Sequence, residues 1–249
     1  MTRIVDLVIP VYNEARNIGH LFNALEPLKE HGLIRHIVIG DNNSTDDSAD
    51  LARQRGAVVV YEKKRGYGAA CLAAINWIET QTDPPPDAIA FLDADLADDP
   101  EHLRILIEVL DEHDLALGSR RDLAEKNALN PTQRLGGIIA ATAIFLVTGH
   151  RYHDLGPMRA IRFEAYQKLN MKDKTWGWTV EMQLKAAMSK MRIKELPVPY
   201  RKRLHGKSKI SGTVIGTIRA GLRILWTIFI IRLTWRPPDN QSPENPPPR

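Results

Sequence analysis

The stretch Ala88-Ile89-Ala90-Phe91-Leu92-Asp93-Ala94-Asp95 joins a short apolar run to two aspartates. An unbroken apolar run of this length is typical of a buried strand in a parallel sheet. Ligands of open α/β sheets bind beyond the carboxyl ends of the strands, where Asp93 and Asp95 fall. Two carboxylates so spaced can converge on one hard cation, for which Mg²⁺ or Mn²⁺ is suited. A turn with helix-capping acids is the alternative, and it suits Asp98 and Asp99 better.

Strands and helices alternate along the first 120 residues. Further strands are predicted at 4–10, 34–39, 57–61 and 115–117. Helices are predicted at 13–29 with Asn13 as N-cap, and at 46–55, 66–79 and 100–112. Alternation at this spacing predicts an α/β fold, with a mostly parallel sheet flanked by helices on both faces.

The second half departs from this pattern. We expect helices at 135–148, 179–190 and 213–235, a strand at 158–161, and an extended edge segment at 193–200 that contains two prolines. Six prolines between 236 and 249 predict a disordered tail. The expected division is therefore a globular domain at 1–210, an amphipathic helix at 211–235 and a tail at 236–249.

Charge is distributed unevenly along the chain. The net charge is +4, but residues 185–236 hold 13 Lys and Arg against the single acid Glu195, a local charge of +12. Such a segment predicts a phosphate-bearing partner or an anionic surface, with a solvated basic face as the alternative. The uncharged run 224–231 is far shorter than the roughly 20 residues that a membrane span needs. An interfacial helix on a membrane surface is therefore expected, or else a helix packed on the domain or a dimer partner.

Cysteine usage and the N-terminus bear on the compartment. The single cysteine, Cys71, excludes an internal disulfide. Together with an N-terminus that enters a strand pattern at once, it predicts a reduced, cytosolic environment. Two phosphate-loop motifs are incomplete: Gly66-x-Gly68 lacks its third glycine, and Gly206-Lys207-Ser208 follows Arg201 where a P-loop needs glycine.

Several segments carry a resemblance to a known family. In order and spacing, 8–14, 41–46, 65–70 and 91–96 resemble the family 2 glycosyltransferases of the GT-A fold. The later segments resemble the dolichyl- or polyprenyl-phosphate branch, which includes dolichyl-phosphate mannose and glucose synthases. They are 118–120, Arg134, 154–160, Glu181-Met182 and 201–209.

The resemblance implies an inverting, metal-dependent transferase. It would move a sugar from a nucleotide diphosphate sugar, with UDP as the expected nucleotide, to a polyprenyl phosphate. Asp93 and Asp95 would hold Mg²⁺ or Mn²⁺ against the diphosphate. The nucleotide would contact Pro10, Tyr12, Glu14, Asp41, Arg65, Gly66 and Asp93. The acceptor phosphate would contact Arg120, Arg134, Arg201, Lys207 and Ser208. One departure is Ala97, where mannose synthases carry glutamine, and it puts mannose-type donor details in doubt.

The role of Glu181 depends on the acceptor. A lipid phosphate is already anionic and needs cations rather than a base, so Glu181 would then orient donor hydroxyls or a basic residue. A hydroxyl of a glycerolipid or soluble acceptor would need Glu181 as general base. A helix N-terminal acid is the plain structural alternative. The catalytic set is accordingly Asp93, Asp95, Glu181, Arg120 and Arg134.

The sequence also bears on a third functional class and on the partners of the protein. A nucleotide-binding regulatory protein without turnover is a third class, against which the intact aspartate pair argues. We expect as partners the nucleotide sugar, a polyprenyl phosphate and the cytoplasmic face of a membrane as a peripheral protein. No nucleic acid is expected, and a homodimer or homotetramer is left open.

Overall fold

The computed structural model describes residues 3–129, 131–206 and 214–238, without the side chains of 131–133, 214–220 and 222–223. Its strands are β1 (Val5–Val11), β2 (His36–Asp41), β3 (Val58–Tyr61), β4 (Ala88–Phe91), β5 (Leu115–Ser119), β6 (Arg159–Arg162) and β7 (Ile193–Pro197). Its α-helices are α1 (Ala15–Glu30), α2 (Ser48–Gln54), α3 (Tyr67–Gln81), α4 (Leu103–Glu108), α5 (Pro131–Thr148), α6 (Phe163–Leu169), α7 (Trp178–Met188) and α8 (Val214–Thr234).

The strands form one sheet of order β3-β2-β1-β4-β6-β5-β7. Strands β1 to β4 pair in parallel, and so do β5 and β7. The predicted mostly parallel α/β sheet is therefore confirmed, and β7 lies at an edge, where Pro197 is tolerated. Strand β6 runs antiparallel between β4 and β5. Because Arg159 pairs with Phe91 and Leu117, the loop before β6 lies at the carboxyl edge of the sheet, beside Asp93.

Helices cover both faces of the sheet, as the alternating strand pattern predicts. On β1, Leu7 and Ile9 point into a core shared with α1 and α4, while Val8 points into a core shared with α3 and α7. Burial of these apolar side chains, at about 25 cal/mol per Å², is the main stabilising contribution. Because a packed core lies on each face of the sheet, the positions of the strand ends, and of the loops that follow them at the carboxyl edge, are fixed.

Three local expectations differ from the structure. Asn13 is not the N-cap of α1: it has a left-handed φ of 53°, and its Oδ1 accepts a hydrogen bond from the Thr45 backbone at 2.8 Å. The predicted helix 100–112 is instead α4 between two short 3₁₀ turns. Helix α6 is absent from the prediction because its seven residues are too few for a clear periodic signal.

The two long helices α5 and α8 pack together beside α7. Ile228 and Ile231 of α8 are buried in the core that holds Trp178, so α8 packs on the domain through one face. Among the residues described, no helix combines the length and apolar character of a membrane span. The predicted boundary at residue 210 and the tail from 239 onward lie outside the described residues.

Candidate active site

A cavity of about 540 Å³ opens at the carboxyl edge of the sheet. It is lined by residues at or beyond the ends of β1, β2, β4, β5 and β7, by the loops before α3, β6 and α7 with the first turns of α3 and α7, and by α8. Their side chains range from carboxylates and guanidinium groups to aromatic rings. They are Pro10, Val11, Tyr12, Glu14, Asn42, Arg65, Gly66, Tyr67, Ala70, Asp93, Ala94, Asp95, Arg120, Leu155, Pro157, Thr175, Trp176, Thr179, Tyr200, Arg203 and Ile224.

One end of the cavity holds most of the residues that the resemblance assigns to the nucleotide. Pro10, Tyr12, Glu14, Arg65 and Gly66 all line it. The Arg65 guanidinium carbon lies 3.2 Å from the centre of the Tyr12 ring, a cation–π contact. An aromatic ring next to a cation is a surface on which a planar base and an anionic phosphate can both bind.

Asp41 lies behind this wall and does not itself line the cavity. Its side chain is buried, and Oδ2 accepts a hydrogen bond of 3.4 Å from the Ser44 backbone. Its Oδ1 has no partner among the described residues. A buried carboxylate oxygen without a donor is costly, so this atom suits a ligand that brings an N–H group.

The glycines at the start of α3 serve close packing. The Gly68 and Ala69 backbone N–H groups donate to the carbonyls of Thr175 and Lys174 at 3.1 and 3.0 Å. A Cβ at Gly68 would lie 2.0 Å from the Asp173 carbonyl oxygen. Because the loop before α7 takes these N-terminal donors, a phosphate cannot use them. The structure therefore agrees with the rejection of a dinucleotide-binding motif here.

Asp93 and Asp95 face the cavity together. The Tyr67 hydroxyl donates to Asp93 Oδ1 at 3.0 Å, and the Ala97 backbone donates to Asp95 Oδ1 at 3.0 Å. Burial, and next the charge of Asp95, raise the pKa of Asp93 to about 6. Two anionic groups held this close favour a cation between or beside them.

The aspartate pair fits a divalent metal whose other ligands come from outside the protein. The described residues contain no cluster of three or more metal-binding side chains. Mg²⁺ and Mn²⁺ commonly bind one or two carboxylates and complete their shells with water and substrate phosphates. The Arg203 guanidinium lies 2.9 Å from Asp95 Oδ2, which shows that this oxygen accepts a cation.

Of the cations predicted to bind the acceptor phosphate, the structure places Arg120 at the cavity and Arg134 and Arg201 outside it. Arg120 lines the cavity, and its guanidinium forms two hydrogen bonds with Asp154, of 2.7 and 2.9 Å. Although burial alone would raise the pKa of Asp154, the hydrogen bonds and charge of Arg120 lower it. Arg134 is exposed, and Arg201 lies 3.2 Å from Asp99; neither lines the cavity. Lys207 and Ser208 lie outside the described residues.

The acids that follow the aspartate pair behave differently from one another. Asp99 accepts a hydrogen bond from the Glu101 backbone, as a capping acid should. Asp98 does not cap: it is 2% exposed, and neither carboxylate oxygen has a partner among the described residues. Burial raises the pKa of Asp98 well above its usual range.

Glu181 is buried away from the cavity. Its carboxylate accepts hydrogen bonds from the Lys172 and Asp173 backbones and forms an ion pair of 2.7 Å with Lys185. A general base must reach the proton that it removes. In this geometry Glu181 does not line the cavity: it pairs with a basic residue and fixes the loop before α7, so its role as general base for a hydroxyl acceptor stays a prediction.

Several residues that line the cavity or contact its lining have no role predicted from the sequence. Tyr67 is part of the glycine motif but gave no separate signal, and Asp154 gained its meaning from contact with Arg120. Arg203 is the third residue of the basic run 201–203, in which only Arg201 was selected. Trp176 lines the cavity at 41% exposure, where its ring can pack on a sugar.

Fold and site together define an α/β protein of the GT-A class. The family model "Glycosyl transferase family 2" matches residues 6–170. The chain belongs to glycosyl transferase family 2, which confirms the family resemblance and makes the protein a glycosyltransferase.

Curated relatives cover nearly the whole chain. An uncharacterized glycosyltransferase of Mycobacterium tuberculosis is 36% identical over 219 residues, covering 87% of this chain and 94% of the relative. The undecaprenyl-phosphate mannosyltransferase of Micrococcus luteus is 28% identical, covering 91% and 97%. The dolichyl-phosphate hexose transferase of Haloferax volcanii is 27% identical, covering 84% and 90%. The resemblance to the polyprenyl-phosphate branch is thereby supported.

Solved structures show the same fold. Glucosyl-3-phosphoglycerate synthase from Mycobacterium tuberculosis, in complex with Mn²⁺, UDP and glucosyl-3-phosphoglycerate, has a TM-score of 0.71 at 18% identity. The alignment covers 96% of this chain and 82% of that one. At this level of identity the similarity concerns the fold.

Proposed function

We propose that the protein transfers a sugar, with inversion, from a nucleotide diphosphate sugar to a polyprenyl phosphate at the cytoplasmic face of a membrane. One observation carries the choice of acceptor. Among the described residues that line the cavity, the carboxylates are Glu14, Asp93 and Asp95. Glu14 lies at the nucleotide end, and the aspartates suit a metal. The described lining of the cavity offers no further carboxylate as base for a hydroxyl, whereas Arg120 and Arg203 suit an anionic acceptor.

The donor would bind across the ends of β1, β2 and β4. Tyr12 and Arg65 would contact the base and ribose, and Asp41 would accept from a base N–H group. Both uracil and guanine carry such a group, and UDP is the first nucleotide to test. Asp93 and Asp95 would hold Mg²⁺ or Mn²⁺, which supplies charge neutralisation for the departing diphosphate.

The acceptor phosphate would bind at Arg120. Asp154 fixes the plane of this guanidinium through two hydrogen bonds. The Tyr200 ring forms a cation–π contact with it, with its centre 5.0 Å from the guanidinium carbon. A phosphate oxygen held here could approach the sugar from the side opposite the leaving group, as inversion requires. Arg203 would serve as a second cation. The names of the Micrococcus and Haloferax relatives support an acceptor of this kind.

The membrane would be reached through α5 and α8. Both helices expose large apolar side chains to the surroundings. They are Leu135, Ile138, Ile139, Phe145 and Leu146 on α5, and Leu225, Trp226, Phe229 and Leu233 on α8. We call this set the apolar surface. An apolar surface beside basic residues suits the headgroup region of an anionic bilayer. A homodimer or homotetramer stays an open prediction.

Product analysis with defined acceptors tests the proposal. The purified protein is incubated with Mn²⁺, a panel of UDP- and GDP-sugars, and either undecaprenyl phosphate, dolichyl phosphate or a neutral glycerolipid. We expect an acid-labile sugar-phosphate lipid from a polyprenyl phosphate, and loss of turnover in EDTA. An acid-stable glycoside of the neutral lipid, with every polyprenyl phosphate ignored, would replace this proposal by the hydroxyl-acceptor alternative.

A matched pair of variants localises the acceptor site. Arg120→Gln removes the cavity cation, while Arg134→Gln removes an exposed one. We expect Arg120→Gln to abolish transfer with nucleotide binding retained, because it removes a charge-assisted contact to the acceptor. A larger loss in Arg134→Gln than in Arg120→Gln would place the acceptor phosphate nearer to Arg134, and equal losses would show that Arg120 is not its specific partner.

A further inference from the structure

The loop between α6 and α7 forms one wall of the cavity. Residues 172–177, here called the wall loop, place Thr175 and Trp176 at the cavity. The Trp176 ring lies beside Tyr67, with centres 6.1 Å apart. On the α3 side, the wall loop accepts the hydrogen bonds from Gly68 and Ala69 described above. The position of this wall therefore affects the space available to a bound donor.

The wall loop is folded around the carboxylate of Asp173. Asp173 Oδ1 accepts hydrogen bonds from both the backbone and the hydroxyl of Thr175, each of 2.6 Å. Glu181 holds the Asp173 backbone N–H at 2.7 Å. Asp173 thus fixes the conformation of the residue that precedes Trp176.

The same carboxylate reaches α8. Asp173 Oδ2 accepts a hydrogen bond of 3.2 Å from the Thr227 hydroxyl, and Thr227 is buried. A Cβ at Gly177 would lie 2.3 Å from Asp173 Oδ2 and 2.7 Å from Thr227 Oγ1. Only glycine leaves room for this contact. One turn earlier on α8, Ile224 lines the cavity directly.

The opposite side of α8 belongs to the apolar surface. Trp226 and Phe229, which flank Thr227 and Ile228 in sequence, are 56% and 55% exposed. One helix therefore contacts the cavity wall on one side and presents aromatic side chains outward on the other. Because packed interiors transmit displacement, a shift of α8 at the outer side would reach the Thr227–Asp173 contact as well as the buried Ile228 and Ile231.

We propose that Thr227 and Asp173 are positioning residues that hold the wall loop against α8, so that docking of α8 on a bilayer tightens the binding of the nucleotide sugar. The inference rests on the proposed function, since it takes the cavity as the donor site. Beyond the proposed function, it names the residue pair that links α8 to the cavity. When α8 is bound to a bilayer, the Asp173 carboxylate holds Thr175 and Trp176 in place.

The test compares Thr227→Val with Thr234→Val on the same helix. Thr234 is a matched control because, among the described residues, its hydroxyl bonds to a carbonyl of its own helix, that of Ile230, at 2.9 Å. The donor KM and kcat are measured with a water-soluble, short-chain prenyl phosphate, with and without vesicles of phosphatidylglycerol and phosphatidylcholine. Binding of UDP with Mn²⁺ is measured by calorimetry under the same two conditions.

We expect vesicles to lower the donor KM and the UDP Kd of the wild type and of Thr234→Val by about threefold. Thr227→Val should show values about three- to tenfold above wild type on vesicles and no response to them, the size of effect expected of a coupling residue. Its kcat should stay within about twofold, and Thr227→Ser should restore the response. Equal behaviour of the two valine variants, or a Thr227→Ser variant without response, would overturn the inference.

Failure of the proposed function is seen separately. A wild type that transfers to no prenyl phosphate contradicts the acceptor proposal, while the calorimetric response to vesicles still decides the coupling. A wild type that transfers normally but binds UDP equally with and without vesicles refutes the coupling alone.

Discussion

The Asp93 carboxylate accepts a hydrogen bond from Tyr67, but its buried position beside Asp95 disfavours the charged form. Burial and the charge of Asp95 raise its pKa to about 6. A carboxyl whose pKa is raised in the folded state contributes stability below its unfolded pKa of about 4, and this contribution is lost as the pH rises through about 6. In the metal-free protein at neutral pH, ionised Asp93 therefore destabilises the fold.

Asp93→Asn should accordingly stabilise the metal-free protein. We expect the free energy of unfolding at pH 8 to rise by about 1–2 kcal/mol, and the difference to vanish near pH 4, where the wild-type carboxyl is protonated. Denaturant unfolding at the two pH values measures this. Transfer activity should fall at least about a hundredfold, because a charge-stabilising group is lost. A variant less stable than wild type at pH 8 would contradict the conclusion that the ionised carboxylate of Asp93 destabilises the metal-free fold.

Asp41→Ala tests the unpaired oxygen behind the nucleotide wall. We expect binding of the nucleotide diphosphate to weaken by about 1–3 kcal/mol, as for loss of a hydrogen bond with one charged partner. Calorimetry with UDP and GDP measures the loss and shows which base the pocket prefers. Glu108→Ala is the control, since Glu108 is an exposed acid on α4 and does not line the cavity. Unchanged affinity for both nucleotides would remove Asp41 from the base pocket.

The residues of the site were predictable where they stand at the end of a strand. Asp93, Asp95, Tyr12 and Arg65 follow apolar runs, and parallel strands bring their carboxyl ends to one edge. Residues that reach the cavity by tertiary contact gave no such signal. Tyr67 enters at a helix start, and Arg203 from a loop that lies across the aspartates. Glu181 shows the limit: a position next to a motif does not say which way a side chain points, and this one points to Lys185.

At the scale of elements, the N-terminal strand–helix alternation was predicted to within a few residues. Periodicity captures long amphipathic helices such as α1, but not the seven-residue α6. The antiparallel direction of β6 could not be read from its four residues, because strand direction depends on which edge the preceding loop reaches. The long apolar helices α5 and α8 were predicted as helices, and their mutual packing was not.

Two glycine-to-alanine substitutions distinguish the effect of close packing on stability from the effect of helix propensity. Gly68→Ala places a Cβ 2.0 Å from a backbone oxygen of the wall loop. We expect a loss of at least about 2 kcal/mol in the free energy of unfolding, because backbone must shift. Gly136→Ala in α5 meets nothing within 4 Å and should gain up to about 1 kcal/mol from helix propensity. Thermal unfolding compares them, and a neutral Gly68→Ala would contradict the tight contact.

For the whole molecule, the apolar surface predicts reversible binding to bilayers. A Trp226→Ser, Phe229→Ser double variant removes two half-exposed aromatic side chains of α8. We expect its partition coefficient on anionic vesicles to fall at least about tenfold, from the apolar area lost. Co-sedimentation at low and high salt measures this.

Tyr61→Ser, on the edge strand β3, is the matched control, since Tyr61 is 59% exposed and lies outside the apolar surface. It should bind vesicles as the wild type does. Loss of binding in both variants alike, or full binding by the double variant, would show that α8 does not contact the bilayer.

The reversed strand β6 also sets the order in which the sheet can assemble. Strands β1 to β4 find one another within the first 91 residues, whereas β5 takes its strand partners from β6 and β7, both synthesised later. A chain emerging from the ribosome can therefore close half of its sheet about 70 residues before β5 acquires a neighbour, as domains generally fold from the N-terminus during synthesis. In pulsed hydrogen exchange during refolding, amides of β1 and β2 should gain protection before those of β5. Until β6 inserts, Phe91 and Leu117 expose the sheet edges that it will join, so a chain truncated before residue 159 should be prone to aggregate.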